Sequence, residues 1–359
     1  CSAAKDCSSG SCASEKCTIP AGGLLGKKGA DAASIKWKVI TSKYLYGPAD
    51  LAFNASAPNQ LWVVNPTTDS LTVIHNPGEK DQHVEAIADI SRHFLDKVTA
   101  ISFGPVGTFA TCGDSRNGYD GHQKPNNFMG PAMWPSNLDD FTIYGLNAHK
   151  VHLDMLHSTP RCMGIAASGG NTYYTFDGYY STIEQYDFVM PHPDGKDGHG
   201  GNDHKDGVKR RFPEVKVKRV AGVPSNMVYE FKTGWLYIAD SGNNRVIRVN
   251  TTAAVQGKKL QSFPHDGVLY EYTGVKQETV TSINDGFVDT PSGLALHAGT
   301  LYVADNKIGR IHAFDPSGKH LGMLDSGLPS GSIGGMTAGP DNRLYFVDQK
   351  KSRVMRVEY

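Results

Sequence analysis

The chain has 359 residues, and 36 Lys+Arg offset 36 Asp+Glu for a formal net charge of zero. A near-neutral chain without a basic stripe does not suit a nucleic-acid binder, and no run reaches the ~18 apolar residues that a membrane span needs. A single compact core of this length would be large for one domain, which favours a ring of smaller cores.

In chain order the first element is a cysteine-rich segment, residues 1–20. Cys1, Cys7, Cys12 and Cys17 are spaced by Ser, Gly, Ala and Lys, too little apolar content for a core. Such a segment is held by disulfides or not at all. Three connectivities are open, and the interleaved one, Cys1 with Cys12 and Cys7 with Cys17, is preferred. Opening on Cys1 reads as a processed N-terminus. A lipid-modified first cysteine is the alternative, but it would leave an odd number of thiols. Residues 21–33 form a Gly/Ala/Lys linker, expected to be extended and mobile. Ser34 to Tyr44, "SIKWKVITSKY", then alternates apolar and polar residues as a strand does.

From there to residue 359 one pattern recurs six times. A small-apolar phrase leads to a tight turn, then to an apolar strand that in most copies ends in Asp or Asn, then to another strand. The apolar anchors are Leu51, Ile101, Ile165, Met227, Leu294 and Met336. The second strands read "LWVVN", "TFATCGD", "TYYTFDG", "LYIADSG", "LYVADNK" and "LYFVDQK". Period-two alternation marks these as strands, and a period of 40–60 residues marks a repeat architecture. Stacked radially, six four-stranded sheets give an all-β, six-bladed β-propeller. "LYIADSGNNRVIRV" and "LYVADNKIGRIHAF" resemble NHL repeats, and the resemblance covers about residues 47–359. The last copy stops at "RVMRVEY", one strand short. The strand at Ser34 to Tyr44 is therefore expected to complete it and close the ring, removing free edges.

Cys112 ends the second strand of copy two and Cys162 opens copy three, so a disulfide between adjacent blades is expected. Asn54-Ala-Ser and Asn250-Thr-Thr are N-glycosylation triplets. With the even cysteine count they point to a secreted, extracellular protein. The basic stretch "VKRR" to "EVKVKRV" reads as a solvated strand face.

Two departures from the repeat carry the candidate chemistry. Residues 114–160 bring His149, His152, Asp154 and His157 just ahead of copy three, where an entering strand is expected to open onto the central channel. Three imidazoles with a carboxylate suffice for a zinc or copper site; the alternative is a short helix with Leu and Met inward. Residues 190–211, "MPHPDGKDGHGGNDHKDGVKRR", offer His199, Asp203, His204 and Asp206 among glycines. Carboxylates in a tight loop suit calcium, and the histidines suit a transition metal. The expected metal residues are thus His152, His157, His199, His204, Asp203 and Asp206, for a divalent ion (calcium or zinc, with copper open). Arg116, Tyr119, Asp120 and Tyr179 are candidates to face the channel. Asp240, Asp305 and Asp348 recur and read as structural acceptors of turn amides, with Arg245, Arg310 and Arg353 pairing between blades. No catalytic residue is assigned.

The resemblance implies two classes. One is enzymatic, the lyases and hydrolases similar to peptide-amidating lyase, paraoxonase and strictosidine synthase, with a His-ligated metal at the channel mouth. The other is a binding or assembly module that presents one face to a protein or glycan. The cysteine-rich N-terminus fits the second, as an arm for homo-oligomerisation.

Overall fold

Alternating runs form strands and the Gly- and Asn-bearing segments form turns, so the chain becomes a succession of antiparallel sheets. The computed structural model describes residues 12–13, 16–17, 23–26, 34–90, 94–105, 107–116, 128–143, 148–190, 204–263 and 266–359. A short hairpin, β1 (Cys12–Ala13) and β2 (Lys16–Cys17), sets Cys12 opposite Cys17 along the ladder. The disulfide pairing of Cys1, Cys7, Cys12 and Cys17 lies outside the described residues. β3 (Lys36–Thr41) follows.

Blade one comprises β4 (Asp50–Phe53), β5 (Gln60–Asn65), β6 (Ser70–His75) and β7 (His83–Ala88). Blade two comprises β8 (Val98–Phe103), β9 (Thr108–Gly113), β10 (Ala132–Pro135) and β11 (Asp154–Met155). Helices α1 (Leu138–Thr142) and α2 (Ala148–Val151) fill its last connection. Blade three comprises β12 (Cys162–Gly169), β13 (Thr172–Asp177), β14 (Thr182–Asp187) and β15 (Val208–Phe212). Blade four is β16 (Met227–Glu230), β17 (Trp235–Asp240), β18 (Arg245–Asn250) and β21 (Lys276–Ser282). Between its last two strands a hairpin departs, β19 (Val255–Leu260) and β20 (Val268–Thr273). Blade five is β22 (Pro291–His297), β23 (Thr300–Asp305), β24 (Arg310–Phe314) and β25 (His320–Asp325). Blade six is β26 (Ile333–Ala338), β27 (Leu344–Asp348) and β28 (Arg353–Glu358), completed by β3. The ring is a six-bladed β-propeller, and all six anchors lie on innermost strands. β28 pairs antiparallel with β3, Val357 opposite Trp37, so the two ends of the ring close as the alternation in Ser34 to Tyr44 requires.

Each seam between neighbouring blades holds one apolar cluster. Each is also stitched near the axis by a hydrogen bond. Gly335 N–H donates to Ala49 O (2.8 Å), Ser225 N–H to Met163 O (2.9 Å) and Asn226 N–H to Ser292 O (2.9 Å). Thr99 Oγ1 donates to Cys162 O (2.7 Å), Ser292 Oγ to Ile333 O (2.9 Å) and Ile101 N–H to Asp50 Oδ2 (3.2 Å). Such close approach excludes side chains: a Cβ on Gly164 would lie 1.9 Å from Ser225 O. The expected disulfide is present, Cys112–Cys162, with Cα atoms 5.7 Å apart, and it staples blades two and three.

Asp240, Asp305 and Asp348 are buried acceptors, as the repetition implies; Asp305 takes the Lys307 and Ile308 amides (2.9 and 3.0 Å). The arginines differ from expectation. Arg245 and Arg353 pair with the Asp of their own blade (2.8 Å each), because the third strand returns beside the second. Arg310 pairs with Asp325 of its own blade (3.2 Å).

Asp50 and Asn226 join the inner strands further. Asp50 accepts Leu51 N–H (2.8 Å) and bonds the Asn226 side chain. Asn226 Oδ1 accepts Leu294 N–H (3.3 Å) and Met336 N–H (3.1 Å). Burial pushes the Asp50 carboxyl from 3.8 to about 6, against the pull of Asn226 and the two amides. A folded-state value above the unfolded one means stability is fullest below pH 3.8 and is lost as pH rises through 6. Asp50→Asn should therefore flatten the fall in stability between these values, by up to about 3 kcal/mol. Urea denaturation across the window measures this, and an unchanged profile contradicts it.

Candidate functional site

The seam between blades two and three differs from the others. Its apolar cluster combines small residues, Ala100, Ala110, Ala167 and the disulfide, with larger ones such as Tyr173 and Phe188, and its outer part is ionic. Residues two apart on a strand share a face. Glu184 and Tyr186 on β14 thus stand beside Arg211 and Lys209 on β15, their ladder partners. Arg211 Nε donates to Glu184 Oε1 (2.6 Å), and Tyr186 OH donates to Glu184 Oε2 (3.0 Å). The connection from β11 to β12 crosses this face, where Lys209 Nζ donates to His157 O (3.2 Å) and Tyr186 OH lies 3.1 Å from the same oxygen.

The hairpin of blade four completes the arrangement. β20 adds in parallel to β15, extending blade three to six strands and covering its edge. This brings Asp266 onto Lys209 and His157. Asp266 Oδ1 meets His157 Nδ1 at 2.6 Å, Oδ2 accepts His157 N–H at 2.9 Å, and Lys209 Nζ also donates to Oδ2. The Lys209 and Asp266 side chains are fully buried. Burial alone would raise the Asp266 carboxyl, but His157 and Lys209 outweigh it and hold it near 2. Burial lowers the Lys209 ammonium despite Asp266.

Asp177 sits where blades four and six carry an Asp paired with the first Arg of the next strand, but that Arg is here Thr182. Its Oδ1 accepts the Tyr179 and Tyr180 amides (2.8 Å each), and Oδ2 is buried without a hydrogen-bond partner among the described residues. Burial and then the nearby Glu184 drive its carboxyl well above the ordinary value. Burial also raises Glu184, with Arg211 opposing. Beside this network opens a cavity of about 460 Å³ lined by Ser158, Tyr180, Arg211, Gln261, Ser262 and Phe263. The Arg211 guanidinium lies 3.9 Å from the Tyr180 ring centre.

His152, His157 and His204 do not open onto the axis. β11 and β15 are outer strands, and the connection between blades begins at the perimeter, which places His157 and His204 there. His204 Nδ1 bonds Asp154 Oδ1, and the His152 ring stacks 6.0 Å from His204 and 4.4 Å from Phe94. Burial raises the Asp154 carboxyl to about 6. Asp206 Oδ2 accepts Met190 N–H (3.1 Å); Asp206 Oδ1 and Asp154 Oδ2 are buried without hydrogen-bond partners among the described residues. No three donors of His152, Asp154, His157, His204 and Asp206 converge on one point. His199 and Asp203 lie outside the described residues, as do Tyr119, Asp120 and the His149 side chain. A group that does converge is His75, His83 and Glu85 on blade one, which could hold an ion. Sequence reasoning missed it, although His75 and His83 flank a hairpin turn.

The axial mouth holds a second cavity, about 310 Å³, lined by residues including Gly47, Lys97, Asp114, Gly222 and Gln349. Asp114 there pairs with Arg161 (3.3 Å) and Arg219 (2.9 Å), and Arg116 lies 4.4 Å from the Tyr179 ring centre. Among the described residues, none of the predicted histidines lines this cavity. Two further expectations are corrected. Lys209 and Arg211 are not a solvated face, because β20 and the β11–β12 connection cover them. Asn54 is 1 % exposed and its Nδ2 donates to Ser136 O (2.8 Å), so the packing leaves no room for a glycan. Asn250 is half-buried, its Nδ2 donating to Thr233 O (3.2 Å).

No family model and no curated protein match the chain. Solved structures do. An auxiliary nutrient binding protein from Bacteroides thetaiotaomicron is 12% identical, with 88% of this chain and 70% of that one covered and a TM-score of 0.55. A luciferin-regenerating enzyme is 14% identical, covering 91% and 96%, at TM-score 0.54. The calcium-binding protein regucalcin from Agrobacterium tumefaciens is 12% identical, covering 90% and 93%, at TM-score 0.51. Identities this low show a common fold.

Removing one partner of a buried ion pair strands the other charge. Asp266→Ala should cost about 3–5 kcal/mol, and Asp266→Leu with Lys209→Met should recover most of it. Urea denaturation of both variants checks this; a mild effect of Asp266→Ala contradicts the pairing.

Proposed function

We propose that the protein is a binding module that takes a neutral, hydroxyl-rich ligand of the saccharide class in the cavity beside blade three. The observation that carries this reading is Arg211. It lines the cavity, yet its charge is already met by Glu184, and its guanidinium lies over the Tyr180 ring. Among the described lining residues a charged ligand would find no unmatched charge. A polyol would find planar donors and acceptors on Arg211 and Gln261, hydroxyls on Ser158 and Ser262, and the rings of Tyr180 and Phe263. Apolar walls with a few placed polar groups are the common form of small-ligand sites.

The blades are read as NHL repeats on the motifs quoted above. The Cys112–Cys162 disulfide supports an oxidising, extracellular compartment. Alkylation mass spectrometry on protein from its native source tests that, and free thiols at both positions would count against it.

Thermal-shift and calorimetric titration with neutral mono- and disaccharides test the ligand class. Saturable binding is expected from at least one, and Gln261→Ala with Tyr180→Ala should abolish it with little change in the ligand-free midpoint. Binding confined to phosphorylated or carboxylated compounds, or binding unaffected by the double variant, overturns the reading.

A further inference from the structure

We propose that His75, His83 and Glu85 form a site for a borderline divalent transition ion, zinc by preference, on the outer edge of blade one. His75 ends β6 and His83 begins β7, and they are direct ladder partners. Glu85 follows His83 by two residues, so all three share one face of the sheet. The imidazole rings stack with centroids 4.0 Å apart and planes 8° from parallel. His75 Nε2 lies 2.6 Å from Glu85 Oε1. One donor atom from each residue lies within 4.8 Å of the others.

The donor set selects the ion. Two imidazole nitrogens and one carboxylate oxygen suit zinc, whereas calcium and magnesium require mostly oxygen. Three protein ligands leave a fourth position, and His83 is exposed, so that position faces solvent. A zinc ion would replace the His75–Glu85 contact by two bonds of about 2.0–2.2 Å. The Glu85 side chain, 44% exposed, has room for that adjustment.

The hairpin is held in place without the ion. Within its turn, Asn76 Nδ2 donates to Asp81 Oδ2 (2.8 Å) and Gly78 N–H to Gln82 Oε1 (2.6 Å). Blade six anchors it from the side: Lys38 Nζ donates to Gly78 O and Gln82 Nε2 to Ile40 O, each at 2.9 Å. The ligands therefore sit on a pre-formed strand pair, which lowers the ordering cost of binding.

Calorimetric titration of the metal-free full chain with zinc chloride tests the site, with cobalt(II) absorption as a second readout. The expected result includes a zinc equivalent and tetrahedral cobalt bands that disappear in His83→Ala and weaken in Glu85→Gln. The metal-free thermal midpoint of His83→Ala should match the parent, because the side chain is exposed. His204→Ala is the control and should leave this equivalent intact. Absence of saturable zinc binding overturns the proposal, as does binding that survives His83→Ala or is lost only in His204→Ala.

Discussion

The hydrogen bond between Asp50 and Asn226 joins opposite sides of the ring. Through it, and through the amides of Ile101, Leu294 and Met336, the inner strands of blades one, two, four, five and six share one polar knot. A buried carboxyl in such a network is costly unless its partners are satisfied, and here most of them are backbone amides of strands that must lie close together. The knot and the six inter-blade hydrogen bonds make the inner ring rigid. Irregular sequence is accommodated outside it, on the connections between blades.

The seam between blades two and three shows what that freedom permits. All the seams hold large apolar side chains, Trp62, Phe176 and Phe346 in three of them and Tyr173 and Phe188 in this one. Here, in addition, Glu184, Lys209 and Asp266 are buried and Arg211 half-buried, and all four are paired. Buried ion pairs seldom stabilise more than apolar packing of equal volume. A cluster of them beside a cavity is therefore better explained by recognition than by stability, and perturbed carboxyls such as Asp177 commonly mark such places.

Much of the ring was legible because its information is local. Anchors such as Leu294, strands such as "LYVAD" and the alternation at Trp37 specify elements whose partners are their neighbours in a periodic pattern. The Cys112–Cys162 bridge followed from the same register. The seam was not legible, because its charges are matched across the fold. Lys209 finds its counter-ion 57 residues away, on a hairpin that departs from blade four and docks on blade three. Read on its own strand, Lys209 alternates with Val208 and Arg210 like any exposed residue. His157 was recognised as unusual, but its placement depended on which strand of blade two precedes it. The His75, His83 and Glu85 group depends on a turn register that neither motif nor composition reveals.

The central claim is that recognition lies at the perimeter of blade three and not at the axial mouth. A crystal structure with a bound neutral saccharide tests it most directly. The account predicts ligand density against Tyr180, Gln261 and Phe263, with the Arg211–Glu184 pair intact. Density instead over Gly47, Lys97 and Asp114 at the axial mouth, with the blade-three cavity empty, would contradict it.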